Sequence, residues 1–160
     1  MSIQIEWQIM KVEIVPFQDK YSDYFYDLNY DWLNEYFYVE EYDEKVLRNC
    51  KEEIIDKGGH IFFAIYESKV VGTMALIPRE EGVYELNKMA VKKDLRGNGI
   101  GHQLIQHTID FAKNNKYKSV ILYSNTVLQN SIHLYNKFGF KKIDNPDAPY
   151  ERSDIKMEYI

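Results

Sequence analysis

The stretch Leu95-Arg96-Gly97-Asn98-Gly99-Ile100-Gly101-His102 places three glycines in five residues. It lies between a strand-like run, VYELNKMAV (Val83–Val91), and a helix-like run, HQLIQHTIDFAKNN (His102–Asn115). A glycine turn that opens a helix offers unpaired backbone N–H groups and the positive end of the helix dipole, which suits an anion. Glycine also lets the backbone approach that anion with no Cβ in the way. Three phosphate-binding patterns fail against these letters. A dinucleotide fingerprint needs glycine six positions into the motif, where counting from Gly97 gives His102, and it needs an early βαβ unit. A P-loop needs Gly-Lys-Ser or Gly-Lys-Thr, and neither occurs anywhere in the chain. A protein kinase needs a far longer chain with its own Asp motifs.

Outward from the turn, the chain alternates between strand and helix signals. Upstream, HIFFAIYE (His60–Glu67) and VVGTMALIP (Val70–Pro78) flank a turn at Ser68-Lys69, and Glu80-Glu81-Gly82 leads into VYELNKMAV. These three segments predict an antiparallel meander. Within its last strand, strict alternation puts Glu85, Asn87, Met89 and Val91 on one face, opposite Tyr84, Leu86 and Lys88. Downstream, SVILYS (Ser119–Ser124) predicts a buried strand, and a short helix carries Val127, Ile132, Leu134, Tyr135 and Phe138 until Gly139 ends it. GFKKID and DIKMEYI (Asp154–Ile160) predict the last two strands.

At the N-terminal end, Ile3, Ile5, Trp7 and Ile9 share one face and Met10, Val12 and Ile14 the other, a strand with a change of face ended by Pro16. From Asp19, the apolar spacing of Tyr21, Phe25, Leu28, Trp32 and Tyr36 is helical. A further helix is expected from Asp43, as N-cap, to Lys57, with Gly58-Gly59 as its stop. The order β-α-α-α-β-β-β-α-β-α-β-β implies a mixed α/β fold, with a βαβ crossover inserted into a mostly antiparallel sheet. No repeat or linker interrupts it, so residues 1–160 read as one domain.

Composition narrows the function classes. A net charge of −5 disfavours general binding to nucleic acid or to an anionic membrane. No apolar run approaches the roughly 18 residues of a bilayer span, and MSIQIEWQIMKVEIV lacks the features of a signal peptide. The single cysteine, Cys50, makes no internal disulfide and suits a reducing cytoplasm.

The letters that the turn does match are R-x-x-G-x-G, at Arg96, Gly99 and Gly101, directly after ELNKMAV. With LYNKFGF (Leu134–Phe140) downstream in register, the chain resembles the GNAT N-acetyltransferase superfamily over about half its length, from Ile61 to Phe140. The resemblance implies acetyl-CoA as co-substrate, with no metal, and an acetyl group passed to an amine by direct attack in a ternary complex. It implies that Arg96, Gly97, Asn98, Gly99, Ile100 and Gly101 hold the pyrophosphate. The backbone around Met89, Ala90 and Val91 would bind the pantetheine arm as if it were an added strand, in a slot opened by splay from Ser119–Ser124.

The same resemblance makes Tyr135 the general acid for the departing thiolate, since a phenol of pKa about 10 is protonated at neutral pH. Glu85, four residues before Met89, becomes the candidate base, directly or through a water, or else a residue that binds substrate beside Asn87. The chain departs from the family where many members carry an asparagine seven residues before that tyrosine, since Leu128 stands there. Asn125 and Asn130 are the nearby candidates for pantetheine contact, and either can equally cap the helix. Lys88, Lys92 and Lys93 are candidates for added charge near the phosphates or for plain solvation.

The acceptor is less defined. Residues 19 to 44 hold nine acids and one base, and Asp19, Asp23, Asp27, Asp31 and Glu35 form one helical stripe. That stripe reads as a solvated face or as an attraction for a cationic acceptor. Trp32 and Tyr36 are candidates to line an acceptor pocket. The leading expectation is a small primary amine or amino-acid-like acceptor. The alternatives are a protein or peptide amine, and an acyl-CoA-binding module without turnover. Homodimers are common in the superfamily, though no stripe here demands one.

Overall fold

The computed structural model describes residues 9–144 and 150–160. Ile3, Ile5 and Trp7, expected in the opening strand, lie outside the described residues. The described elements run β1 (Glu13–Pro16), α1 (Ser22–Tyr36), α2 (Glu41–Arg48), β2 (His60–Tyr66), β3 (Lys69–Pro78), β4 (Val83–Val91), α3 (Ile100–Asn114), β5 (Ser119–Ser124), α4 (Gln129–Lys137), β6 (Lys141–Ile143) and β7 (Ile155–Tyr159). The strands form one sheet in the order β1-β2-β3-β4-β5-β7-β6. Every neighbouring pair is antiparallel except β4 and β5, which α3 joins as a parallel crossover. This is the mixed α/β architecture that the element order implies.

Helices cover both faces of the sheet, so β2, β3 and β5 read as near-continuous apolar runs, whereas the middle strand β4 carries Glu85, Asn87 and Lys88. Against one face, α3 turns Ile100, Leu104, Ile105 and Ile109 inward onto Phe62, Met74, Leu76 and Leu86. Each such side chain contributes roughly 1.5–3 kcal/mol on burial. On the other face, Phe25 and Leu33 of α1 and Val46 and Leu47 of α2 cover Phe63, Ala75 and Ile77. The buried line of α1 is Phe25, Asn29 and Leu33. The helix is therefore rotated from the expected stripe, and Tyr36 is 45% exposed. Asn29 tolerates burial because its amide donates to the Phe25 carbonyl at 2.9 Å.

Other local expectations shift. The hairpin turn is Glu67-Ser68, both at positive φ, the geometry whose twist matches the flanking strands. Helix α2 starts at Glu41 with Glu40 as its N-cap. Asp43 sits at the third helical position and accepts the Glu40 backbone N–H at 3.0 Å. The helix expected to run on to Lys57 breaks at Asn49 and finishes in a wider turn over Lys51–Ile55, where the Asp56 N–H reaches the Lys51 carbonyl. Val127 precedes α4 and is exposed. No helix among the described residues is long and apolar enough to cross a membrane.

Strand β4 carries the departure with most consequence for the site. Thr73 pairs with Ala90 and Ala75 with Asn87, so two steps on β3 face three on β4. The extra residue is Lys88, at φ +53, a left-handed conformation that costs a non-glycine residue about 1–3 kcal/mol. This β-bulge reverses the alternation beyond it. Met89 and Val91 pack on the α3 side with Leu86 and Tyr84, not with Glu85 and Asn87 as strict alternation predicts. Lys88 turns to the opposite side, onto Asp43 of α2.

Candidate active site

Strands β4 and β5 pair only from Val83–Ser119 to Glu85–Ile121 and then separate. Their divergence opens a cleft of about 740 Å³. Beyond Glu85, the edge of β4 that faces β5 has no partner strand, so its backbone is free to pair with an extended ligand. Met89, Ala90 and Val91 line this edge, and Trp32, Leu33 and Tyr36 of α1, with Phe37 just beyond it, line the cleft as well.

One end of the cleft is the glycine turn. Gly97 and Gly99 hold φ +83 and +81, and Gly99 is the N-cap of α3. A Cβ on Gly97 or Gly101 would meet nothing within 4 Å, so the backbone there faces open space. Gly97, Gly99, Ile100 and Gly101 all line the cleft. Asn98 does not. Its amide donates back to the Leu95 carbonyl at 2.9 Å and its own carbonyl accepts from the Met10 N–H. Arg96 lines the cleft with its guanidinium engaged by Glu35 at 2.6 Å and by the Val91 carbonyl at 3.2 Å. That guanidinium holds the Glu35 carboxyl below the usual carboxylate range. Tyr36 stands under Arg96, 5.6 Å from ring centre to guanidinium carbon, and so belongs to the glycine-turn end. Lys93 is also drawn to Glu35.

Midway along the cleft, Asn125, Asn130 and Tyr135 form the wall on the β5–α4 side. The Asn125 amide is committed, since it donates to the Arg152 carbonyl at 2.6 Å while its oxygen accepts from the Val127 N–H. Tyr135 packs edge-on to Phe140, with ring centres 6.0 Å apart. Burial alone pushes its hydroxyl up to about 12, so it is protonated at neutral pH.

The far end is built from α2, β4 and the segment before β7. Glu85 is 1% exposed and does not form part of the cleft wall. Its Oε1 accepts from Arg79 at 2.8 and 2.6 Å, and its Oε2 accepts from the Asn87 amide at 2.6 Å. Burial raises its carboxyl above the usual range against the pull of Arg79. Asn87 does line the cleft, and the same amide donates to the Tyr150 hydroxyl, so Glu85 connects to the cleft through Asn87.

Beside them, Lys88 is 6% exposed and bonded to Asp43, correcting its reading as a phosphate-side or solvated lysine. Arg152 forks onto Asp43 at 2.6 and 3.0 Å and reaches Glu40 at 2.7 Å. Burial opposes the charge on Asp43, but Arg152 and Lys88 outweigh it and hold the carboxyl below its usual range. Sequence reasoning missed Tyr150, Arg152 and the role of Lys88. No periodicity marks the first two, and the bulge that redirects Lys88 leaves no local signal.

Four acids of the stripe stay clear of the cleft, and the fifth, Glu35, bonds Arg96 at its glycine-turn end. Asp19, Asp23, Asp27 and Asp31 are exposed, and Asn29, Trp32, Leu33 and Tyr36 are the α1 residues on the cleft side. From Asp19 to Asp31 the stripe is thus a solvated face. Cys50 is buried under α1 and away from the cleft.

Comparison with known proteins places this geometry among acetyltransferases. The sequence matches the acetyltransferase (GNAT) family over residues 26–140. It is 37% identical over 87 residues to N-acetylaspartate synthetase of Xenopus tropicalis, a match covering 54% of this chain and 32% of that protein. It is 29% identical over 97 residues to human N-acetyltransferase 8B, covering 58% and 43%. The chain thus spans less than half the length of these curated relatives. An acetyltransferase of the GNAT family from Staphylococcus aureus Mu50 superposes with a TM-score of 0.82 at 20% identity, covering 92% of this chain and 98% of that one. The PaiA N-acetyltransferase of Thermoplasma acidophilum, solved in complex with coenzyme A, superposes at 0.72 with 21% identity and coverages of 93% and 98%.

Proposed function

Because the chain belongs to the acetyltransferase (GNAT) family, we propose that it transfers the acetyl group of acetyl-CoA to the primary amine of a small, amino-acid-like molecule in a ternary complex. The observation that carries the reading is the cleft itself. A glycine turn at the start of α3 and an unpaired β4 edge lie at one continuous opening with Tyr135.

The residues present fit coenzyme A. Open space over Gly97 and Gly101 admits phosphate oxygens to the first turn of α3, and Arg96 can exchange Glu35 for phosphate. The β4 edge around Met89, Ala90 and Val91 suits the amide groups of pantetheine, with Asn130 on the facing wall. When bound, acetyl-CoA supplies a thioester: the amine nitrogen bonds to its carbonyl carbon as the C–S bond breaks, the nitrogen losing one proton and the sulfur gaining one.

Tyr135 donates the proton that the sulfur gains, because burial keeps its hydroxyl protonated. Glu85 receives the amine proton through a water beside Asn87, since its carboxylate lies behind the cleft wall. Its raised affinity for a proton suits that task. The relative named N-acetylaspartate synthetase supports an amino-acid-like acceptor over a protein amine. We infer a cytoplasmic setting, which the single buried cysteine, Cys50, suits.

Thiol release from acetyl-CoA with a panel of amines tests the proposal. The wild-type chain turns over at least one small amine. Tyr135→Phe lowers kcat about 10²-fold or more while acetyl-CoA binding by calorimetry stays unchanged. Undiminished turnover in that variant removes Tyr135 as the acid, and no acetyl-CoA binding in the wild type removes the whole reading.

A further inference from the structure

We propose that the acceptor amine also carries a carboxylate, and that Lys88 and Arg152 are the residues that bind it. This inference rests on the acetyl-transfer reading of the cleft and names the substrate class of its far end.

The charge of the wall is the first observation. Among the described residues that form it there is no Asp or Glu, although the chain has 25 acids and a net charge of −5. Lys88, Arg96 and Arg152 are its lysine and arginines. Arg96 stands at the glycine turn, where the phosphates are expected. Lys88 and Arg152 stand together at the opposite end, beside Asn87 and Tyr150.

The two far-end cations converge on one point. The Lys88 ammonium and the Arg152 guanidinium lie 4.8 and 4.3 Å from the centre of the same Tyr150 ring, and both bond to Asp43. Their counter-ions, Asp43 and, on Arg152, Glu40, both lie outside the cleft wall, so a ligand meets the cations before it meets the carboxylates. An anion within hydrogen-bond reach of them is closer to the positive charges than to the negative ones, and buried charges are poorly screened.

Donors also remain to be used. A guanidinium has five N–H groups and an ammonium three. Arg152 directs three at Glu40 and Asp43, and Lys88 directs one at Asp43. A pair of carboxylate oxygens matches the remainder, and a buried cation with incomplete hydrogen bonding gains most from such a partner. A polyamine or a lysine-rich peptide would instead bring positive charge against the buried Lys88 and the partly buried Arg152, with no wall acid.

The test uses matched triplets of an L-amino acid, its α-amide and the corresponding decarboxylated amine, assayed by thiol release from acetyl-CoA. For the best triplet, the free acid has at least tenfold higher kcat/KM than either partner. Arg152→Gln removes most of that preference through KM, while the rise in melting temperature on adding acetyl-CoA is retained. Should Arg152→Gln fail to fold, Arg152→Lys keeps the charge and loses the fork, and reduces the preference severalfold. Equal use of amide or amine, or an unchanged preference in a folded Arg152 variant, overturns the inference and leaves the acetyl-transfer reading intact. If acetyl-CoA binds and none of the triplets turns over, calorimetric titration of the acids and amides into CoA-loaded protein decides. Acid-selective binding supports the inference and its absence overturns it. Failure of acetyl-CoA itself to bind the wild type defeats the underlying reading instead.

Discussion

At Gly101 a side chain would stand in open space, on helical backbone, at the mouth of the cleft. At Gly99 it would strain a φ of +81 and meet Ile9 at 2.9 Å. Substitution at Gly99 therefore confuses lost folding with lost binding, whereas Gly101 separates them. Gly101→Val should unfold in urea within about 0.5 kcal/mol of the wild type, as substitutions outside strained or packed sites do. It should show no heat of acetyl-CoA binding, and retained affinity would argue that the phosphates lie elsewhere. Glu85 gives the second residue-scale test. A base must be deprotonated to act, so kcat/KM should fall as pH drops through its pKa, which burial raises above the ordinary carboxylate range. Glu85→Gln should lower activity and abolish that acid limb. A limb unchanged in the variant belongs to another group.

At the scale of elements, the bulge in β4 and the start of α2 depend on each other. Lys88 takes up a left-handed conformation within a strand, and its side chain ends in a buried pair with Asp43. Asp43 also fastens Arg152, and so ties α2 to the segment before β7. Removing one member of a buried ionic group costs about 3–5 kcal/mol because its partners keep their charge without compensation. Asp43→Asn should lower the unfolding free energy by that amount, as measured in urea at neutral pH. The sign with pH follows from the lowered carboxyl. Asp43 stabilises the fold fully above its unfolded pKa of about 3.9, and the contribution is lost as pH falls through its lower folded value. The wild type should therefore lose part of its stability in acid that Asp43→Asn no longer has to lose. Parallel acid titrations of the two chains would show a gap that closes, and a constant gap would remove Asp43 as its source.

For the whole molecule, the cleft between β4 and β5 is a wedge held open at one end by pairing that stops at Glu85–Ile121. A ligand that spans it joins the two halves of the sheet, so it should stabilise the entire fold. At a hundredfold excess over Kd, acetyl-CoA should add about 2.7 kcal/mol, which for a domain of this size is a rise of roughly 5–11 °C in Tm. Scanning calorimetry with and without acetyl-CoA measures it, and an unmoved Tm would count against the wedge as the binding site. Two α-helices stand between β1 and β2 where three were expected, whereas the order of the strands, the hairpin of β2 and β3 and the crossover through α3 were legible in the letters. They follow from the period of apolar residues and the chemistry of turns, both set by near neighbours. LRGNGIGH was legible for the same reason, because a glycine turn before a helix makes an anion site locally. The rotation of α1, the bulge at Lys88 and the removal of Glu85 from the cleft wall were not. The far end of the cleft joins Asp43 to Lys88 and Arg152, residues 45 and 109 positions away along the chain. The sequence by itself determined a mixed sheet with a glycine turn that opens a helix between two of its strands. Only the tertiary structure decided which charges line the cleft, because packing between distant elements sets which end of each ion pair is exposed to it.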